Sequence, residues 1–272
     1  MEARIEAALV ERYGNGKLLR TSRWVVIAVV LFLLAAWQAE VDARALFVDL
    51  PKGMVQLALF WPPAFEALPE LVQPALVTLL LALVPLPLGV ALAIPVAFAG
   101  AANIAPPWLR TTARTYITFQ RNLPEIVLVL LLVRAFGLGA LPGIVAIALG
   151  SVGMLSKLFA DAIEEIEPEQ LEAMACTGAG RWQAIRFAVI PALMPTLIAN
   201  SLFRFEINMC QAGLLGAVGA GGLGYELSYA LNRLEYPHVT ITFLVLLALL
   251  AAAEKVSDLL RRRLLAEGRE GV

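Results

Sequence analysis

Residues 171–195 read LEAMACTGAGRWQAIRFAVIPALMP, a charged, alanine-rich piece, a TGAG turn, a second amphipathic piece and a proline that opens an apolar run. Upstream, Pro168 predicts a helix start, with Glu169 and Gln170 in the first turn where the helix end is positive. Gly178 and Gly180 bound a sharp turn. Arg181 to Ala188 form a second short helix, expected to stop at Pro191. A helix this short is marginal alone in water. It must pack against the ends of the chain's own apolar helices or against another protein.

Everything around this hairpin is suited to lipid. The 272 residues are 60% hydrophobic and 16% charged, and mean hydropathy is +0.78. Soluble domains carry about 25% charged residues. The apolar residues form long runs and do not alternate with polar ones, which predicts an all-α polytopic membrane protein and excludes a β-barrel. A net charge of −1 argues against a nucleic-acid partner. With one histidine and two cysteines, Cys176 and Cys210, in different surroundings, neither a metal cluster nor a disulfide is expected.

About six segments approach the length of a span: 24–41, 71–99, 115–136, 138–160, 190–218 and 234–253. With the amino terminus inside, one side collects 16 of the 21 lysines and arginines, so both termini and the hairpin are expected in the cytoplasm. The first run lacks a convincing cleavage site and reads as a retained anchor. The expected organisation is a cytoplasmic amino-terminal segment 1–23, the anchor 24–41 and an extracytoplasmic loop 42–70. A five-span core 71–253 follows, including the polar loop 161–190, and a basic cytoplasmic tail 254–272 ends the chain. Where span five ends, the stretch GAGGLG (219–224) predicts a tight reversal requiring positive φ. Gly219, Gly221, Gly222 and Gly224 are also candidates for a flexible gate loop.

Ionisable residues inside spans cost roughly 3 kcal/mol or more and mark functional candidates. Arg204 and Glu206 are two apart and point about 200° away from one another, so each needs a partner on another helix. Glu125, after Pro124, lies at a depth where Arg204 can meet it. Such a contact either fixes packing or faces the cargo, and Asn208 admits the same two readings. No catalytic group is expected: no nucleophile–base pair or metal cluster emerges. GNGKLL at 14–19 lacks the spacing and hydroxyl of a phosphate-binding loop, so this chain carries no energy source of its own. A proton-coupled secondary transporter using Glu125 and Glu206 is the alternative from a different class. Against it stand the six spans, the absence of detectable inverted repeats and a hairpin without a purpose.

Glu172-Ala173, Gly178 six positions after the glutamate, and Ile190-Pro191 resemble the EAA loop of binding-protein-dependent ABC importer permeases. Met174, Ala188 and Ile190 depart from that pattern. The stretches IPVAFAGAANIAP, RNLPEIV, FGLGALPGIVAIAL, GMLSKLFADAIEEI, ACTGAGRWQAI, FRFEIN and LLGAVGAGGLG are similar to the phosphonate-type permeases of that family. Arg121-x-x-Pro124-Glu125 matches the motif of the third span and Arg204-Phe205-Glu206-x-Asn208 that of the fifth. Val77 and Cys210 stand where that group has charged residues. The resemblance implies a type I ABC importer permease in a prokaryotic inner membrane. Its hairpin would be the coupling helix, with Glu172, Ala173, Gly178, Ala179, Gly180 and Arg181 meeting the ATPase. Arg121, Glu125, Arg204, Glu206 and Asn208 are the translocation-path candidates. The implied partners are two ATPase subunits holding Mg-ATP, a second permease copy or paralogue, an extracytoplasmic substrate-binding protein and membrane lipid. The implied cargo is a phosphonate, phosphite or hypophosphite, with a methionine or glycine-betaine type permease as runner-up.

Overall fold

The structure, a computed structural model, describes residues 15–38, 43–167, 169, 174 and 176–270, and it is helical throughout, with no strand among the described residues. Two units divide the chain at Ala58. The first holds α1 (Asn15–Gln38), whose apolar stretch is Arg23–Gln38, and α2 (Ala43–Ala58). The segment 42–70, expected as a loop, therefore contains four turns of helix. Leu46, Leu50, Met54 and Leu57 recur at helical spacing there, and that periodicity prevails over Pro51 and Gly53.

The second unit begins with a 3-10 turn, Phe65–Ala67, leading into α3 (Leu68–Leu83) and α4 (Pro85–Gly100). These two join as one apolar rod, Phe65–Gly100. After it come α5 (Pro107–Asn122), α6 (Glu125–Phe136) and α7 (Ala140–Glu164). The predicted third span 115–136 is thus not one straight helix: α5 and α6 meet at an 82° bend. Pro124 has no N–H to continue the ladder, and it holds Leu123 extended at φ −78°, ψ 118°.

Beyond the hairpin turn, α8 (Arg181–Ala184) does not stop at Pro191. It passes through a π-turn, Ile185–Val189, into α9 (Ile190–Leu215). Pro191 falls in the first turn of α9, where its missing N–H costs little, and the π-turn takes up the misfit. Another π-turn, Gly216–Ala220, leads to α10 (Leu223–Asn232) and then α11 (Tyr236–Glu270). The expected basic tail is largely the continuation of α11.

Among the described residues, four helical stretches are long and apolar enough to cross a membrane, 65–100, 140–164, 182–220 and 236–264, and the bent pair, counted as one span, makes a fifth. α7 is the central one. Its most apolar window is 61% buried, against 11% to 33% in the other three. Alanine, glycine and serine along α7 let α4, α5 and α6 approach closely, the packing that lipid-embedded helices depend on. One core cluster joins Leu81, Val129, Ile147, Met209 and Leu215. A second joins Ala93, Ala97, Leu155, Phe159 and Ile163 to Val189 and Leu193.

Candidate functional site

Arg204 is 3% exposed in the middle of α9. One guanidinium nitrogen lies 2.9 Å from Glu125 Oε1, at the first residue of α6. The same nitrogen donates to Gln211 Oε1 at 3.1 Å, and Nε donates to Ser151 Oγ on α7 at 2.9 Å. Ser151 hydrogen-bonds Ile147 O and Asn208 Oδ1, and Asn208 Nδ2 donates to Ala82 O at 3.3 Å. One cation thus ties α6, α7 and α9 together, and Asn208 extends the network to α3. Among the described residues, Glu125 Oε2 has no hydrogen-bond partner, so Arg204 is the carboxylate's main compensation. The close approach requires Gly150: a Cβ there would meet Glu125 Oε1 at 2.0 Å.

Glu206 points the other way, as a two-residue offset demands. It accepts from the Ser257 hydroxyl and pairs with Arg261 at 3.2 Å, both on α11. Of the five path candidates, only Arg121 is exposed and without an ion-pair partner among the described residues. Arg204 and Asn208 are buried, and Glu125 and Glu206 are half-buried. Val77 packs beside the core, while Cys210, like Cys176, is free and exposed. Sequence reading missed Ser151, Gln211, Ser257 and the pairing of Arg261. Polar residues in apolar helices were the available signal.

At the hairpin, Glu172 and Ala173 lie outside the described residues, as does the side chain of Arg181. The turn itself is defined. Gly178 has φ +78°, and Ala179 N–H reaches back to Met174 O at 3.3 Å, the six-to-one bond of a Schellman ending. Gly180 starts the next helix: its N–H donates to Gln183 Oε1 at 2.8 Å, the backward half of a capping box.

The hairpin springs from a second polar cluster at the end of α7. Arg114 on α5 pairs with Glu164 at 2.9 Å and Asp161 at 3.5 Å, and its Nε donates to Gly100 O at 3.0 Å. Lys157 pairs with Asp161. Glu164 also accepts from Ala102 N–H, and Asn103 Nδ2 donates to Ile163 O at 2.7 Å. The chain beyond the hairpin returns to the same body, where Val189 and Leu193 join the cluster around Phe159.

At the opposite end, Gly219, Gly221 and Gly222 have φ of +106°, +95° and +74°, the reversal expected of GAGGLG. Gly139 N–H donates to Gly219 O at 3.0 Å, and Leu223 N–H donates to Thr78 Oγ1 at 2.8 Å. Gly224 lies so close to Gly213 that a Cβ would meet its carbonyl oxygen at 1.9 Å. Among the described residues, no three His, Cys, Asp or Glu side chains converge as a metal ion would require.

Comparison with known proteins agrees with this architecture. Residues 86–266 match the model of the family described as binding-protein-dependent transport system inner membrane component. The phosphate-import permease protein PhnE of Mycolicibacterium smegmatis is 37% identical over 238 residues, 87% of this chain but only 45% of that protein. The chain therefore spans about half the length of that relative. The phosphite transport system permease protein PtxC of Stutzerimonas stutzeri is 34% identical over 88% of this chain and 87% of its own. Among solved structures, the inward-facing MetNI methionine ABC transporter superposes with a TM-score of 0.65 at 23% identity, covering 74% of this chain and 98% of that one. That likeness carries the fold. With its family match extending from α4 nearly to the end of α11, the chain belongs to the inner membrane components of binding-protein-dependent transport systems.

Proposed function

We propose that this chain is the membrane-spanning permease subunit of an ATP-driven importer for phosphonate or a related phosphorus oxyanion such as phosphite. The observation that carries the reading is the 34% identity along nearly the whole of a phosphite permease. In this reading the chain has six spans with both termini inside: α1, the α3–α4 rod, the bent α5–α6 pair, α7, α9 and α11. Two copies, or a copy and a paralogue, surround the path. Two ATPase subunits hydrolyse Mg-ATP, and a binding protein outside delivers the cargo. GAGGLG serves as the outer gate. The proton-relay alternative loses support because Glu125 and Glu206 are each engaged by an arginine.

The test is reconstitution of the complex with its ATPase and binding protein in vesicles. ATP-dependent uptake of labelled phosphite or methylphosphonate is the expected result. ATP-dependent methionine uptake without oxyanion uptake would place the chain with the methionine-type permeases. Uptake following a proton gradient without ATPase would overturn the ATP-driven reading.

Residues 168–190 act as the coupling hairpin in this reading. Both ends of the hairpin are rooted in one body, α4, α5 and α7, through the Arg114–Glu164 contacts on one side and Val189 and Leu193 on the other. A push from the ATPase would move that body as a unit. Reversing one charge, Arg114→Glu, is expected to lower ATP-driven uptake several-fold, while the half-exposed pair contributes only about 1 kcal/mol or less to stability. The swap Arg114→Glu/Glu164→Arg is expected to restore part of the uptake. If uptake of the single variant equals wild type, the clasp has no part in coupling.

A further inference from the structure

α5 is the one described helix of the span set whose outer surface does not suit lipid. At about 100° per residue, its sixteen residues (Pro107–Asn122) sort into three faces. Ala113, Ile117 and Gln120 are buried. Trp108, Phe119 and Tyr116 are exposed aromatics. Between them, across roughly 140° of arc at that spacing, lie Arg110, Thr111, Arg114, Thr115, Thr118 and Asn122. These six, with Pro107 and Phe119, line an open groove of about 660 Å³.

The chemistry of this face is specific. Thr111, Thr115 and Thr118 each donate their hydroxyl to the carbonyl four residues earlier, at 2.8–2.9 Å. Each hydroxyl is therefore satisfied without a partner and can rotate to donate to a passing anion. Arg114 is held by Glu164 and Asp161. Arg110 has no ion-pair partner among the described residues, and neither does Arg121 one turn beyond Thr118, so the face carries uncompensated positive charge. Lipid tails are a poor cover for it, because guanidinium, hydroxyl and amide groups at or within a span face protein, headgroups or water. A second copy packed on this face about a two-fold axis would bring two such positively charged faces together, a like-charge contact.

We propose that the Thr–Arg face of α5 lines the inner half of the translocation path, where it passes the phosphorus oxyanion from hydroxyl to hydroxyl toward the cytoplasm. This deepens the function proposed above and rests on it. Donors that are already half-spent on the helix bind an anion weakly, and a conduit requires sites weak enough to leave. Arg110 and Arg121 raise the local anion concentration without trapping it.

The test compares Thr111→Val/Thr115→Val/Thr118→Val with Thr112→Val in the reconstituted complex, using labelled phosphite. Thr112 is exposed and makes the same bond, to Trp108 O at 3.0 Å, but faces away from the groove. The triple variant is expected to lose at least about tenfold in uptake, the scale of lost hydrogen bonds to a charged group, while still co-purifying with its ATPase. Thr112→Val is expected to match wild type. Arg110→Gln/Arg121→Gln is expected to raise KM for phosphite and flatten its dependence on salt. Wild-type uptake by the triple variant overturns the proposal and leaves the importer reading standing. Absence of oxyanion uptake by the wild-type complex overturns both. A defect seen only in vesicles with anionic lipid, and not in zwitterionic ones, would assign the face to headgroups and overturn the path.

Discussion

Arg204→Met is expected to destabilise the purified permease by about 3–5 kcal/mol, the range for removing one partner of a buried ion pair. Glu125 Oε2 already has no hydrogen-bond partner among the described residues. With Arg204 gone, its other oxygen loses the 2.9 Å cation as well, and Ser151 and Gln211 lose their donor. The second half of the prediction separates two roles. Arg204→Met/Glu125→Met replaces the pair with apolar volume, which is often neutral for stability, so the thermal midpoint should return most of the way to wild type. If ATP-driven uptake returns with it, the pair fixes the packing of α6 on α7 and α9. If stability returns and uptake does not, the pair acts on the cargo or in the gating motion. A single variant as stable as wild type would show that the contact carries no load.

The hairpin turn supplies the second large effect. Gly178→Val is expected to abolish ATP-driven uptake and co-purification with the ATPase, whereas Gly178→Asn is expected to keep both. Among the described residues, no atom outside the neighbouring ones lies within 4 Å of a Cβ built at Gly178, so a clash with them is not the reason. The reason is φ +78°, which a β-branched residue resists and asparagine tolerates. Valine would open the turn and misdirect α8. Glu172→Lys, on the other arm, tests the same surface by charge. Uptake and assembly intact in both Gly178→Val and Glu172→Lys would remove the hairpin from the coupling route.

Local rules explain why so much was legible beforehand. Long apolar runs specify membrane helices through the cost of unpaired backbone in lipid, and among the described residues the apolar runs read from sequence coincide largely with helix, the third as a bent pair. Gly178 and GAGGLG announce positive φ because little else adopts it. The opposite directions of Arg204 and Glu206 follow from helix geometry alone. Three local readings still failed. Residues 42–70 hold a helix, because periodic leucines outweighed Pro51 and Gly53. The third span bends, because Pro124 sits where no neighbouring carbonyl ladder carries the helix through. Pro191 ends nothing, because the π-turn Ile185–Val189 just before it takes up the misfit of the missing N–H.

The amino-acid order by itself determined the class of molecule, the approximate positions of its apolar helices, the turn at Gly178 and the identity of the charges within apolar helices, since each depends on neighbours within a few turns. Tertiary structure alone decided that Arg261 is the partner of Glu206, that Gly150 makes room for the Arg204–Glu125 contact whose depth the sequence had matched, and that Arg114 pairs with Glu164 at the end of α7. It also decided which side of α5 is left uncovered. Such pairings join residues 50 to 80 positions apart; close packing on α7 brings the Glu125 and Arg114 pairs within reach, and the contact of α9 with α11 does so for Glu206 and Arg261.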